Sequence, residues 1–278
     1  MSHEMKPGLF YRMPVHFGPT AGPRQGPDGQ PFDLTNAPHR RAVSVSFLSD
    51  AKKLDAILPP GFQVAGEPVV TVEFQYFTEL EWLGGRGYNT LGVRFPAEYR
   101  GKRDRVAGSF LAVLWENLAD PILSGREELG FNKLYAELPE PRVLRGREIY
   151  SASWLGFRFL DMELSELRGI PVEEHVAALR AVRSDGVLHY KYVPRTGARG
   201  EADIAYATLT PVSGNKMTFE RVWRGRGRVE FLRATWEDMP TQFQVVNAVA
   251  ELPQLEMRGA VVAESRGYKD LSDQVALS

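Results

Sequence analysis

The segment Gly-Arg-Glu-Glu-Leu-Gly-Phe-Asn-Lys-Leu-Tyr, residues 125–135, places one lysine between two aromatic residues. Phe131, Lys133 and Tyr135 alternate, so in an extended strand their side chains share one face. Burial on that face would disfavour the ammonium ion, and a neutral amine can attack a carbonyl carbon to form a Schiff base. On a surface strand, the same lysine would lie over the two rings with its amine in water. These residues alone leave both interpretations open.

The elements around Lys133 are predicted to be a short helix followed by a strand. Asp120 and the proline after it suit the start of a helix over residues 121–129, with Asp120 as its cap. Gly130 suits the left-handed residue that ends such a helix. Residues 131–138 then continue as a strand. The lysine is therefore expected just after a turn, where a loop and a strand meet.

Strand-like segments dominate the rest of the chain. Apolar or alternating segments separated by turn residues occur at 41–49, 69–77, 88–95, 106–116, 131–138, 148–160, 187–193, 204–212, 217–223, 229–234 and 257–264. Three segments predict helices, at 49–61, 121–129 and 240–252. This pattern predicts a mainly β (α+β) fold in which one large antiparallel sheet is curved or closed into a barrel-like structure with a few helices. Residues 1–38, rich in Gly and Pro from residue 18, predict an irregular N-terminal arm before a single domain at 39–278.

Composition and motifs exclude several classes of function. The net charge is −1, which gives no overall field that favours nucleic acid or a membrane surface. The absence of cysteine excludes disulfides and thiolate chemistry. The five histidines follow no metal-binding spacing and no phosphate-binding glycine loop occurs, so we expect neither a metal nor a cofactor. The basic, aromatic segment at 221–231 is interpreted as a hairpin rather than a nucleic-acid site. Without a signal peptide or a long apolar segment, a cytoplasmic protein is expected.

Residues 125–133 closely resemble the lysine motif of the acetoacetate decarboxylase superfamily, which is usually Gly-Arg-Glu, two or three residues, then Gly-Phe/Tyr-Pro-Lys. The order of the preceding elements is also similar to that family, in the segments RRAVSVSFLSDAKKLDAILPPGF (40–62), VTVEFQYF (70–77) and RGYNTLG (86–92). The similarity is good over about residues 40–160 and is one of pattern beyond them. It implies a mostly antiparallel, barrel-like fold that often forms homo-oligomers.

The resemblance assigns roles to individual residues. Lys133 falls on the Schiff-base lysine, and Arg40 falls on the arginine that binds the substrate carboxylate, with Arg41 as a neighbour and possible substitute. Glu73 falls on the glutamate of the Glu-Phe strand, and Tyr88 is the tyrosine of the Tyr-Thr-Glu segment. From the residues alone, Glu73 could equally face water, and the two arginines could be an exposed pair.

Three positions depart from the family motif. Asn132 replaces the proline, Leu134 replaces a second lysine, and Thr90 replaces a glutamate. A threonine hydroxyl is a poor general acid near neutral pH, so the group that protonates the product is left unassigned. Thr90 and Phe131 remain expected substrate contacts.

Two residues of the motif are expected to act indirectly. Arg126 and Glu127, on the helix before Lys133, are interpreted as a structural ion pair that supports the loop.

The implied function is a cofactor-independent lyase that forms a lysine Schiff base with a small keto acid, with decarboxylation of a β-keto acid as the first expectation. A pyruvate-type aldolase or dehydratase of the same superfamily is the alternative. A non-catalytic barrel that binds a small acidic or apolar ligand is an alternative of another class.

Overall fold

The computed structural model describes residues 5–278, nearly half of which lie in one sheet of 14 strands. The strands are β1 (His39–Leu48), β2 (Phe62–Val64), β3 (Val69–Leu80), β4 (Arg86–Arg100), β5 (Arg105–Glu116), β6 (Lys133–Tyr135), β7 (Arg142–Leu144), β8 (Arg147–Trp154), β9 (Phe157–Ile170), β10 (Gly186–Pro194), β11 (Ala202–Pro211), β12 (Thr218–Phe231), β13 (Glu256–Arg266) and β14 (Val275–Ala276). The helices are α1 (Ala51–Asp55), α2 (Ala119–Ser124), a π-helical turn (Gly125–Leu129), α3 (Val172–Ala181) and α4 (Phe243–Ala250), with short 3₁₀ helices at Val15–Phe17 and Glu81–Leu83. The predicted mainly β class is confirmed.

The sheet is curved, as predicted, but it is not closed into a barrel, which corrects the predicted alternative of closure. Most strand pairs are antiparallel, and β5 pairs in parallel with β6 and β10. Its strands follow the order β14-β11-β10-β5-β4-β3-β1-β13-β12-β9-β8-β7, with β2 beside β4 and β6 beside β5. The two terminal strands have only two and three residues, and those of β7 are all exposed. Edge strands this short offer few backbone hydrogen bonds with which the two edges of the sheet could pair and close a barrel. The chain between β5 and β6 passes through a helix, and β6 therefore returns parallel to β5.

The core lies on one face of the curved sheet because alternate residues of its central strands are apolar. In β1, Val43, Val45 and Phe47 are buried, whereas the residues between them are small and polar. The sheet curls so that this face packs against β8 and β9, where the rings of Phe74 and Tyr150 lie 5.4 Å apart. The opposite face of the same strands is left for polar side chains.

Strand β12 is continuous from Thr218 to Phe231, although the sequence suggested a hairpin at its Arg-Gly-Arg-Gly segment. The glycines allow close packing there instead of a turn. A Cβ on Gly225 would lie 2.5 Å from the carbonyl oxygen of Ser165, and one on Gly227 would lie 2.5 Å from Val45. Glycine inside a strand often marks such a close approach.

The sequence also misplaced a turn and missed a helix. The segment predicted as one strand at 148–160 is a hairpin, because Leu155 and Gly156 both adopt positive φ between β8 and β9. Helix α3 lacks a buried residue and hence the apolar periodicity that would have indicated it. Within residues 5–278, every helix is too short or too polar to span a membrane.

Candidate active site

Lys133 begins β6, where the crossover from β5 returns to the sheet. Helix α2 leads into the π-helical turn, which ends at Gly130 with φ 83°, the left-handed conformation expected there. The residue before α2 is Leu118, which makes no side-chain cap, and Asp120 lies inside the first turn, so the predicted capping by Asp120 is wrong. π-Helical turns are rare in proteins overall, and those that do occur are frequently at functional sites.

The environment of Lys133 is less symmetric than the alternating pattern suggested. The strand begins only at Lys133, which is buried, and Tyr135 is exposed. The Phe131 ring lies 5.4 Å from the lysine Nζ and stacks on His189 with 3.9 Å between ring centroids. One aromatic ring, and not two, therefore shields the amine.

The Lys133 amine is held by two oxygens inside the protein. Its Nζ lies 2.9 Å from Oε1 of Glu116 and donates a hydrogen bond to the carbonyl oxygen of Pro121 at 2.9 Å. The side chain is 8% exposed. Its stem crosses Gly125, where an added Cβ would lie only 2.5 Å from Cε. The glycine of the Gly-Arg-Glu segment is thus explained by contact with the lysine.

Glu116 ends β5 and was not identified from the sequence. It is 1% exposed, and fully buried glutamates are rare unless they are paired. Burial raises the pKa of Glu116, and the charge of Lys133 partly opposes this effect. Oxygen Oε2 has no hydrogen-bond partner within the described residues. A carboxylate at the end of an apolar strand was the available signal.

The polar face of the sheet brings most of the predicted residues together. Two rows of directly opposed residues cross neighbouring strands, namely Arg40–Phe77–Tyr88 and Gln75–Thr90–Glu116. Opposed residues in antiparallel strands point to the same side, and side chains two residues apart on a strand do as well. The two rows therefore form one surface, which ends at Glu116 beside Lys133.

Arg40 and Arg41 lie on opposite faces of β1, as successive strand residues must. Arg41 forms ion pairs with Glu148 at 2.7 Å and Glu264 at 2.8 Å. Arg40 is on the polar face and donates a long hydrogen bond of 3.4 Å to Gln75. The geometry thus separates the two arginines that sequence reasoning treated as alternatives.

Glu73 shares this face but is already engaged. Its carboxylate lies 3.2 Å from the Arg94 guanidinium and accepts a hydrogen bond of 2.6 Å from Gln75. Through Gln75, it connects to Arg40. Glu73 is therefore placed to hold the side chains of Gln75 and, through it, Arg40 in position.

Tyr88 lies near a second tyrosine that the sequence did not indicate. Tyr88 packs on Phe77 with 5.3 Å between ring centroids, and Tyr268 contacts the same ring edge-on at 6.1 Å. Burial and the charge of Glu116 raise the pKa of Tyr88 well above its ordinary value. Burial also raises the pKa of Tyr268, while Arg40 opposes the shift. Both phenols therefore stay protonated near neutral pH.

Arg126 supports the lysine backbone. Its guanidinium donates a hydrogen bond of 2.9 Å to the carbonyl oxygen of Lys133. In the part of the chain that the structure describes, Arg126 makes this contact and no ion pair with Glu127, because adjacent helical residues do not face each other. The expected pair is therefore wrong, although Arg126 does contact the Lys133 segment.

His189 is another missed neighbour. It is fully buried, and its Nε2 lies 3.0 Å from the Thr210 hydroxyl. Burial and the charge of Lys133 lower the pKa of His189 to about 3, so the ring is neutral. Its strand position within an apolar segment was the signal available in the sequence.

The N-terminal arm runs beside this site. Arg24 and Arg12 contact the Glu128 carboxylate on the π-helical turn, at 2.6 and 3.2 Å. The backbone nitrogen of Tyr268 donates to the carbonyl of Leu34. The arm therefore ties the turn before Lys133 to the segment after β13.

Two grooves in the described residues lie elsewhere. One of about 380 Å³ is lined by Asn132, Leu134 and Arg126, on the side of the Lys133 segment away from the amine. The other, of about 500 Å³, lies on β8, β9 and β12. Among residues 5–278, no cluster of three or more His, Asp or Glu side chains is arranged to hold a metal ion.

Comparisons with known proteins agree on the fold. Acetoacetate decarboxylase from Legionella pneumophila subsp. pneumophila str. Philadelphia 1 has a similar structure, with a TM-score of 0.64 at 20% identity over 87% of this chain and 88% of that chain. An acetoacetate decarboxylase-like enzyme from Sphingomonas wittichii RW1 gives 0.62 at 17% identity, with 87% and 94% covered. The enduracididine biosynthesis enzyme MppR, complexed with the condensation product of pyruvate and imidazole 4-carboxaldehyde, gives 0.58 at 19% identity, with 87% and 90% covered.

The sequence comparison is more specific. No curated protein matches the chain at a significant level. The acetoacetate decarboxylase (ADC) family profile matches residues 12–257, which is most of the chain. The chain therefore belongs to the acetoacetate decarboxylase family.

Proposed function

We propose that this chain is a lyase that forms an imine between Lys133 and a small keto acid, and that its reaction is decarboxylation of a β-keto acid. The observation that carries the proposal is the enclosed amine of Lys133, 2.9 Å from a buried carboxylate. A lysine nucleophile must lose a proton before it attacks, and a carboxylate in direct contact can accept it. Membership of the ADC family supports the same class of chemistry.

The chemistry needs no electron sink other than the imine. The neutral amine attacks the ketone carbon, and loss of water leaves a protonated imine. The bond to the substrate carboxylate then breaks, its electron pair moves toward the imine nitrogen, and CO₂ leaves. The resulting enamine takes a proton on carbon, and hydrolysis frees the ketone and the lysine. Tyr88 and Tyr268, both protonated and both influenced by the charge of Glu116, are candidate hydroxyl donors for this step.

Arg40 is the group that would hold the substrate carboxylate. It lies on the polar face and has one long hydrogen bond, to Gln75, while its Nε has no partner among the described residues. Guanidinium and carboxylate can form two parallel charge-assisted hydrogen bonds. The ion pairs of Arg41 with Glu148 and Glu264 already use that guanidinium.

An aldolase or dehydratase reaction of pyruvate is the second candidate. The observation that favours it is the similar fold of MppR, whose structures hold pyruvate and a pyruvate condensation product. This reaction would begin with an imine at the same lysine. Loss of a proton from the neighbouring methyl carbon to a base then gives the enamine, which attacks an aldehyde. The two candidates therefore share Lys133 and differ in the second reactant.

Borohydride trapping tests the proposal. The protein is incubated with acetoacetate or with pyruvate, reduced, digested and mapped by mass spectrometry. We expect the reduced adduct on Lys133 and its loss in Lys133→Ala. Lys191→Ala is the matched control, because Lys191 is the other buried lysine of the described chain and is 8% exposed. CO₂ release and aldol product formation, measured in parallel, separate the two reactions.

Two results would reject the imine mechanism. One is the absence of any adduct with either acid, as expected for a non-catalytic binding protein. The other is an adduct that survives Lys133→Ala and disappears in Lys191→Ala.

A further inference from the structure

We propose that Glu116 is the acid–base residue that moves protons to and from the Lys133 nitrogen while the imine forms and is hydrolysed. The inference rests on the proposed function, since it assumes that Lys133 is the nucleophile. It assigns a catalytic role to a residue that the motif does not contain.

The first argument is contact with the reacting atom. Glu116 Oε1 lies 2.9 Å from Lys133 Nζ, within the distance required for direct proton transfer. The other oxygen of the carboxylate, Oε2, is buried and has no hydrogen-bond partner in the described chain. One oxygen therefore contacts the nucleophile, while the second remains available to a hydroxyl group formed next to it.

The second argument is that the Lys133–Glu116 ion pair contributes little to the stability of the fold. The side chains of Lys133 and Glu116 are 8% and 1% exposed, so both charges have lost their solvent. Desolvation of a buried ion pair often cancels the attraction within it. The unsatisfied Oε2 adds a further desolvation cost to the folded state. Proton transfer at Nζ gives a reason for keeping this arrangement.

Glu116 alone can carry out every proton transfer that imine formation requires. The carboxylate takes one proton from the Lys133 ammonium ion, and the neutral amine attacks the ketone carbon. The new C–N bond forms as the carbonyl electron pair moves to oxygen. The nitrogen gives a proton to this oxygen through Glu116, which makes the carbinolamine.

Loss of water completes the step. The protonated Glu116 gives its proton to the carbinolamine hydroxyl, the C–O bond breaks, and water leaves. The protonated imine then faces the Glu116 carboxylate, as the ammonium ion did at the start. Hydrolysis runs through the same transfers in reverse.

The other titratable groups around the pair do not titrate in the same range. Tyr88 on β4 and Tyr268 after β13 have pKa values raised by burial, and His189 on β10 has a pKa lowered to about 3. The pH dependence of imine formation between these limits should therefore report Glu116, whose pKa is raised by burial.

The test compares the rate and the final extent of borohydride trapping with acetoacetate in the unmodified protein and in Glu116→Gln. Glutamine keeps the shape and the contact with Nζ but cannot carry the proton. We expect the trapping rate to fall by about 10²–10⁴-fold with the final extent preserved. The plateau that the rate reaches above the titration of Glu116 should disappear, and the rate should keep rising with pH because hydroxide must then remove the proton. Glu137→Gln is the control, since Glu137 lies just after β6, the strand that begins at Lys133, and its carboxylate accepts a hydrogen bond from Ser153.

The outcomes separate this inference from the proposed function. Trapping in the unmodified protein but at an equal rate in Glu116→Gln overturns the role of Glu116 and leaves the imine mechanism intact. The absence of trapping in the unmodified protein overturns both. If Glu116→Gln does not fold, Glu116→Asp decides, because it withdraws the carboxylate by one methylene group. Slower trapping with the plateau retained supports the proposal, and an unchanged rate overturns it.

Discussion

Gly125→Ala tests how accurately the lysine must be placed. A Cβ at this position would lie 2.5 Å from Cε and 2.6 Å from Nζ of Lys133. The backbone at Gly125 has φ −69° and ψ −40°, which alanine adopts freely. The substitution therefore leaves the backbone unstrained and acts on the lysine side chain. The lysine side chain cannot move aside without weakening the contacts of its amine with Glu116 and with the carbonyl oxygen of Pro121.

The expected size of the effect follows from these distances. Ordinary van der Waals contact begins at 3.4 Å, so the lysine stem must retreat by about 0.9 Å, from 3.4 − 2.5. A misplacement of about 1 Å in a catalytic group can reduce the rate by about 10²-fold. Stability should change little, because alanine improves helix propensity by about 1 kcal/mol while overpacking costs about 1–3 kcal/mol. We therefore expect a roughly 10²-fold slower imine formation in a folded protein.

Borohydride trapping with acetoacetate measures the rate, and thermal unfolding followed by circular dichroism measures stability. Leu123→Ala is the matched control, because Leu123 lies two residues before Gly125, in α2, and is 53% exposed. It should trap at the unmodified rate. Equal trapping by Gly125→Ala would mean that the lysine position seen here is not the reactive one, and the reasoning from the Gly125 contact would fail.

Three further predictions concern the surroundings of the site. Arg40→Gln should raise KM for a keto acid by about 10–100-fold, because a pair of charged hydrogen bonds to the substrate is lost. Arg41→Gln should instead lower the melting temperature and leave KM unchanged. Steady-state kinetics measures KM, and calorimetry measures the melting temperature. Arg24→Ala should leave only Arg12 to hold the arm on Glu128 and should speed cleavage of the arm by a protease. An unchanged cleavage rate would show that the Arg24 ion pair does not hold the arm. Burial lowers the pKa of His189 to about 3, so the contribution of the neutral ring to stability is complete above pH 6.5. This contribution is lost as pH falls toward 3, by about 1.4 kcal/mol per pH unit. In urea unfolding, the free energy of unfolding of His189→Gln should therefore depend less steeply on pH than that of the unmodified protein.

The sequence predicted the fold class because the strand pattern is local. Alternation in residues 41–49 reports directly which side of β1 is buried, and the structure has the same alternation. Features that depend on distant contacts were misjudged. The glycines of β12 were interpreted as a turn, since nothing nearby in the sequence shows that Val45 and Ser165 approach them.

The same limit explains which site residues were found. Lys133 lies in a contiguous motif, so its neighbours in sequence identify it. Glu116, His189 and Tyr268 lie on three other elements, and only the strand order of the sheet brings them near the lysine. No spacing along the chain encodes that order. Strand alternation alone would have separated Arg40 from Arg41, but it could not say which face carries the site.

The pairing of Thr90 with Glu116 changes how the threonine in the motif is judged. Considered along β4 alone, Thr90 removes a carboxylate and leaves proton transfer without a donor. In the sheet, Thr90 lies directly opposite Glu116, and the two side chains point to the same side. A carboxylate on either strand of this pair enters the same space beside Lys133. The absence of an acid at position 90 is therefore no argument against decarboxylation of acetoacetate. Because acid–base function belongs to the pair of opposed positions, it has to be judged from the register of β4 and β5 and not from either segment alone.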